Sequence, residues 1–189
     1  TTNWDFNTAK NLAESNLTAA QAADKGTVYI LAPNDGTARA IADAFAADKD
    51  VTKYFVTGQD AEKASVQYII DGKQSMTVFK DVRTLAADAV AAANAFIAGQ
   101  TPEKTNSYNN GKIDVPAKPS AIVTVTKDNV KAALIDSGYY KAEDFQNLDS
   151  AAAQPTAAPA AGEKITGEIT LWHACGTGSA EEKALAQVL

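Results

Sequence analysis

Thr27-Val28-Tyr29-Ile30-Leu31-Ala32-Pro33-Asn34-Asp35-Gly36-Thr37, and after it Tyr54-Phe55-Val56-Thr57-Gly58-Gln59-Asp60, decide the fold. Each part passes from a short apolar run through a polar turn into residues with helical spacing. Two strand–turn–helix units in succession specify parallel strands joined by crossover helices. In such a sheet, ligands bind beyond the carboxyl ends of the strands. Asn34 and Asp60 fall at that edge and are the first candidates for holding a polar ligand.

Outward from this stretch the pattern repeats. Asn7 is placed to cap a helix in which Ala9, Leu12, Ala13, Leu17 and Ala20 recur at helical spacing. Asp24-Lys25-Gly26 reads as a turn, and Thr27–Leu31 as a buried strand rich in β-formers. A helix is expected at about 37–47, with Ala38, Ile41, Ala42 and Phe45 on one face. Tyr54–Thr57 is the next strand, Gln59–Ile70 a second helix closed near Gly72, and Ser75–Phe79 a third strand. Lys80 ends that strand on the edge shared by Asn34 and Asp60. Asp81–Ala98 is the longest helix, with Gly99 just past its end. Residues 101–119 read as a loop punctuated by Pro102, Asn109-Asn110-Gly111, Pro116 and Pro119. A strand at Ala121–Val125 and a short helix at Asp128–Ser137, closed by Gly138, complete the unit. Tyr139, Tyr140 and Phe145 then pack its end down. Residues 149–163 are Ala- and Pro-rich and read as a linker, too poor in apolar bulk to build a core. Residues 164–189 read as a strand at Glu168–His173, a Gly176-Thr177-Gly178 turn and the start of a helix.

Composition narrows the function classes. The chain has 189 residues, 46% of them apolar, and a net charge of −6. An acidic balance disfavours a nucleic-acid partner, which calls for a basic patch. One cysteine, Cys175, and one histidine, His173, leave no internal disulfide and too few ligands for a metal site. Gly176-Thr177-Gly178-Ser179 lacks the Gly-Lys-Ser/Thr ending of a P-loop, so nucleotide binding has little support. No cofactor is implied. An enzyme needs a base beside its carboxylates, and Asp35 and Asp60 have no evident partner of that kind.

Asn34, Asp60 and Lys80 suit a polyhydroxylated ligand: a carboxylate accepts from vicinal hydroxyls, an amide donates and accepts, and an ammonium donates. The plainer reading is that Asn34 and Asp35 cap the helix and shape the turn. Asp35, nearer the helix start, is the better capper and leaves Asn34 for a ligand. Trp4 offers a flat face for a sugar ring, or simply packs.

Four motifs occur in order: Leu31-Ala-Pro-Asn-Asp-Gly-Thr-Ala38, Thr57-Gly-Gln-Asp-Ala61, Gln74-Ser-Met-Thr-Val-Phe-Lys80 and Asn109-Asn-Gly-Lys-Ile-Asp-Val-Pro116. Together they resemble the C-terminal part of the xylose-type periplasmic sugar-binding proteins, within the ribose-binding (type I) superfamily. The resemblance covers about residues 1–148. It implies an α/β lobe with a mostly parallel sheet flanked by helices, incomplete without an N-terminal lobe. It also implies sugar hydrogen bonds from Asn34, Asp60 and Lys80, ring stacking by Trp4, and chain crossings between lobes near Lys80–Val82 and Lys118–Ile122. The partners so implied are a monosaccharide (pentose or hexose), the permease of an ABC importer, and either the N-terminal lobe or a second copy of the chain against helix Asp81–Ala98. The setting implied is periplasmic or extracellular, with a lipid anchor on the full-length protein. Ile169-Thr-Leu-Trp-His-Ala174 and Gly176-Thr-Gly-Ser-Ala-Glu-Glu182 are similar to the mature start of maltose-type solute-binding proteins. Residues 164–189 are accordingly expected to open a second module. The competing expectation is an interaction or dimerisation module that binds no sugar by itself.

Overall fold

Parallel pairing of two short strands, β1 (Thr27–Leu31) and β2 (Lys53–Val56), sets the frame of the chain, in register from Thr27 opposite Lys53 to Ile30 opposite Val56. The computed structural model describes residues 2–151 and 171–173. These fall into two compact units, one of residues 1–78 with 124–189 and one of residues 79–123.

In the first unit, α1 (Phe6–Ala19) precedes β1, and α2 (Asp35–Ala47) crosses from β1 to β2. The α1 cap is Asp5, which accepts from the Thr8 amide at 2.6 Å. Asn7, the expected cap, lies inside the helix: Asp5 alone stands three residues before an amide left without an intrahelical partner. Ala9, Ala13 and Leu17 form its buried stripe and share a core with Ala38, Ile41, Ala42, Phe45, Val28 and Ile30. Alanine recurs on both helices, which keeps helix propensity high and side-chain volume low where they pack. β1 is buried on one face only. Val28 and Ile30 point into the core, whereas Tyr29 is exposed and stacks on Phe55 of β2 with ring centroids 4.9 Å apart.

Beyond β2, the expected helix from Gln59 starts four residues late, as α3 (Lys63–Ile70). Asp60 and Ala61 have φ of 101° and 52°, outside helical space, and hold the chain in a turn first. Val66, Ile69 and Ile70 are the buried face, and Gly72 follows with φ of 77°. The third strand is β3 (Thr77–Lys80), displaced by two residues at its start from Ser75–Phe79. Val78 pairs in parallel with Gln59, extending the order laterally beyond β2.

The second unit carries α4 (Val82–Ile97), capped by Asp81 and followed by Gly99 at φ 70°, as the spacing predicts. None of its residues is buried: Val82, Leu85, Val90, Phe96 and Ile97 are all exposed. The expected loop over 101–119 is instead a hairpin, β4 (Asn106–Asn109) paired antiparallel with β5 (Asp114–Ala117). β4, polar apart from Tyr108, and β5, interrupted by Pro116, lack apolar alternation, which hid them, but Asn110-Gly111, with Gly111 at φ 88°, is a recognisable hairpin turn. Lys118 bridges Asp88 at 2.9 Å and Glu103 at 2.7 Å, and lies beside a cavity of about 710 Å³ also lined by Leu85, Phe96, Pro102 and Pro116.

The chain returns along β6 (Ile122–Val125). The short helix expected at Asp128–Ser137 is a single π-helical turn, Lys131–Ile135, with Leu134 buried and Gly138 closing it at φ 69°. Tyr139, Tyr140 and Phe145 pack edge to face, as expected, with centroids 4.8 and 5.5 Å apart. The segment read as a linker begins inside α5 (Leu148–Ala151), and its remaining residues lie outside the described ones. Of the module expected at 164–189, only β7 (Leu171–His173) is described; it pairs in parallel with the free side of β1, Leu31 opposite His173. Cys175 lies outside the described residues. Among the described residues no helix is long and apolar enough to cross a membrane.

Two outcomes follow from this packing. Phe45, 1% exposed beneath Tyr54, is the largest fully buried side chain, and Phe45→Ala is expected to lower stability by about 3–5 kcal/mol through transfer and cavity terms, measured by urea unfolding. Lys25, nearly buried, donates to Asp48 at 3.0 Å, and that bond holds the Asp48 carboxyl below its ordinary range. A depressed carboxylate stabilises the fold above its unfolded-state pKa, and the contribution is lost as pH falls through its folded value. Asp48→Asn should therefore cost stability at neutral pH and flatten the acid limb of a stability–pH curve; an unchanged limb would remove the pair from this role.

Candidate functional site

The carboxyl ends of β1 and β2 are stitched together before any side chain of the site is placed. The Thr57 amide donates to the Ile30 carbonyl at 3.1 Å, and the Thr57 hydroxyl accepts from the Ala32 amide at 3.2 Å. The Asp35 amide donates to the Gln59 carbonyl at 2.9 Å. Those contacts bring the Asn34 turn and the Asp60 turn to one edge of one unit.

Asn34, not Asp35, is the α2 cap. Its Oδ1 accepts from the Thr37 amide at 3.2 Å and from the Thr37 hydroxyl at 2.6 Å. The expectation that Asp35 caps and releases Asn34 is thus reversed, because Asn34 is the last extended residue and Asp35 already has helical geometry. With both lone pairs of Oδ1 occupied, Asn34 presents its Nδ2 as a donor only. The side chain is half-buried.

Asp35 points inward and is fully buried. Its carboxylate accepts from the Gln74 Nε2 at 2.9 Å and from the Glu62 amide at 2.8 Å, with the Thr77 hydroxyl also bonded to it. Burial pushes the Asp35 carboxyl above its ordinary value, against the pull of these donors. Gly58 passes so close that a Cβ there would collide with the Asp35 carboxylate and the Gln74 amide. Gln74 donates also to the Met76 carbonyl at 3.0 Å, and its Oε1 is buried with no protein partner. Gln74 opens one of the four motifs but nothing in the sequence marked it as a partner of Asp35; Gly58, between an apolar run and Asp60, was a visible sign of close backbone approach.

Asp60 is exposed at the edge, its backbone amide donating to the Val78 carbonyl at 2.9 Å. A fixed acceptor thus stands on the turn neighbouring a fixed donor, Asn34. Lys80 is half-buried at the end of β3 and belongs to the second unit. Trp4 lies in a left-handed turn before α1, φ 66°, and the residue is 63% exposed, so the packing role open to it is not taken up here. Among the described residues no group of His, Cys, Asp and Glu is placed to hold a metal ion.

Comparison with known proteins agrees with this architecture. The multiple sugar-binding periplasmic receptor ChvE of Rhizobium radiobacter is 38% identical over 152 residues, which is 77% of this chain and 43% of the relative. The D-xylose-binding periplasmic protein of Escherichia coli (strain K12) is 34% identical over 116 residues, 61% of this chain and 35% of that protein. Among solved structures, a carbohydrate transporter solute binding protein from Chloroflexus aurantiacus, in complex with D-glucose, is 80% identical with a TM-score of 0.75. The match covers 78% of this chain and 43% of that one. An ABC transporter solute binding protein from Clostridium phytofermentans with bound β-D-glucose is 35% identical with a TM-score of 0.66, over 75% of this chain and 44% of that one. The chain therefore spans less than half the length of these relatives. The family described as the periplasmic binding protein domain matches residues 1–101, and with more than half of its residues inside that match the chain belongs to this family.

Proposed function

We propose that this chain supplies one face of a monosaccharide site in the extracytoplasmic receptor of an ABC sugar importer. The observation that carries the reading is the pair of adjoining turns at the carboxyl edge of β1 and β2, one fixing the Asn34 amide as donor, the other presenting the Asp60 carboxylate as acceptor. A sugar's vicinal hydroxyls donate to a carboxylate, and its ring or hydroxyl oxygens accept from an amide. Lys80 adds a second donor and Trp4 a stacking face in this reading. The ligand is a neutral pentose or hexose; the relatives named for xylose and for several sugars, and those holding glucose, support that class. Binding is reversible and non-enzymatic. Closure of two lobes on the sugar reports the loaded state to the permease.

A second reading rests on α4, whose exposed Val82, Leu85, Val90, Phe96 and Ile97 offer an apolar stripe. Stripes of that kind mark an interface. Here the occupant is the rest of the binding protein or a second copy of the chain. Residues 164–189 belong in the same proposal as the opening of a maltose-type module beyond an Ala/Pro-rich linker, supported by the Ile169–Ala174 and Gly176–Glu182 motifs.

Calorimetry with D-glucose and D-xylose, on this chain and on the chain extended at its N-terminus by the corresponding part of the Chloroflexus protein, tests the first reading. Asp60→Ala should weaken binding by about 10- to 150-fold, the worth of one charge-assisted hydrogen bond at about 1.5–3 kcal/mol. No heat with any pentose or hexose, or full affinity in Asp60→Ala, rejects it. Light scattering tests the second: the chain alone should self-associate and the extended chain should not. A strict monomer at high concentration argues against pairing through α4.

A further inference from the structure

The Asp60 turn is held in an unfavourable conformation by groups that ligand binding does not itself require. Asp60 and Ala61 are consecutive non-glycine residues at φ 101° and 52°, and such residues cost on the order of 1–3 kcal/mol each unless their surroundings over-determine them. Here nearly every peptide group of the turn is pinned. The Asp60 amide reaches the Val78 carbonyl at 2.9 Å and the Gly58 carbonyl accepts from the Val78 amide at 3.1 Å. The Ala61 amide donates to the Thr77 hydroxyl at 3.1 Å, while the Ala61 carbonyl accepts from the Tyr140 phenol at 2.9 Å. The Glu62 amide, at the unsatisfied start of α3, donates to the Asp35 carboxylate at 2.8 Å. Glu62 has no side-chain cap of its own, so Asp35 supplies from another helix the acceptor that α3 lacks.

We propose that Asp35 and Tyr140 are positioning residues for the ligand edge: from either side they lock the left-handed Asp60–Ala61 turn in the backbone geometry that sets the Asp60 carboxylate beside Asn34. The proposal rests on the monosaccharide reading above and goes beyond it by assigning roles to two residues outside the ligand contacts proposed there. Asp35 is suited to this because it is adjacent in sequence to Asn34 and bonded to Glu62, so one side chain couples both turns. Gly58 leaves the space that the carboxylate fills. Tyr140 is held in turn by edge contacts to Tyr139 and Phe145, which gives the aromatic cluster after β6 a task at the ligand edge. A merely structural role would tie both residues to global stability alone; a positioning role ties them to the turn and to affinity.

Hydrogen exchange on the intact chain, and D-glucose titration of the intact and N-terminally extended chains, separate these. Asp35→Ala and Tyr140→Phe should each raise amide exchange at residues 60–62 by about tenfold, the loss of one net hydrogen bond, and weaken D-glucose binding by a similar factor. Asp35→Asn should recover most of both relative to Asp35→Ala, since its Oδ1 still accepts from the Glu62 amide, while turning the Gln74 amide over to accept from its Nδ2 gives up the bond to the Met76 carbonyl. Ile41→Val, a core control far from the turn in its bonding, should lower the melting temperature and leave both readouts alone. Exchange that rises in Asp35→Ala and Tyr140→Phe only as far as it does in Ile41→Val overturns the proposal. So does faster exchange with unchanged affinity. If Asp35→Ala fails to fold, Tyr140→Phe decides alone. If the unmodified extended chain takes up no pentose or hexose, the monosaccharide reading falls, and the exchange comparison alone decides the lock.

Discussion

A carboxylate shut away from water must be given donors, and the way Asp35 is supplied with them organises the ligand edge. Its donors come from three separate segments: the Glu62 amide before α3, the Gln74 side chain after it, and the Thr77 hydroxyl on β3. Removing a buried charge's partners costs several times what an ordinary hydrogen bond contributes, so each segment is held where Asp35 needs it. The requirement extends to Gly58, since any side chain there would occupy the carboxylate's place. Burial raises the Asp35 carboxyl while the three donors oppose the rise, a balance that persists only if the surrounding backbone is fixed. The same network therefore accounts for both the rigidity of the edge and the delayed start of α3.

How much of this was legible in the sequence depends on whether the deciding force was local. The β1 strand and α4 matched their expected bounds to within a residue because apolar period and end signals suffice for them. Three of the four motifs lie within residues 1–101, the stretch that matches the periplasmic binding protein domain. The start of α3 was missed because the Asp60–Ala61 turn is imposed by Asp35, Thr77 and Tyr140, separated from it in sequence by 16 residues or more. Local propensity at Gln59–Glu62 carries no trace of those partners. The β4–β5 hairpin was hidden for another reason: β4 is polar apart from Tyr108 and wholly exposed, and β5 is interrupted by Pro116, so hydrophobic period had nothing to report.

The sheet edge that carries the proposed site was legible in the sequence, and the bonding along it was not. Asn34 and Asp60 were placed at the correct edge by topology, since parallel strands deliver their following turns to one side. Which of Asn34 and Asp35 caps α2 was decided by where the extended backbone ends, one residue earlier than the spacing of Gly36 and Thr37 suggested. Lys80 was read from its place at a strand end and Trp4 from its flat ring: one closes β3 in the second unit, the other stands exposed ahead of α1.

The polarity of the edge bears on which ligands the proposed function admits. Thr37 bonds the Asn34 Oδ1 through its amide and its hydroxyl, which holds that end of the side chain and leaves the Nδ2 as its donor. In the proposed site Asn34 then donates and the Asp60 carboxylate accepts. A polyol satisfies both, because every hydroxyl carries a donor and an acceptor. An anionic ligand such as a sugar phosphate brings like charge to Asp60, in a chain whose net charge is already −6. On the proposed reading the discrimination against sugar acids and phosphates comes from the Asp60 carboxylate, while the capping bond of α2, a contact whose first purpose is to start a helix, keeps Asn34 a donor.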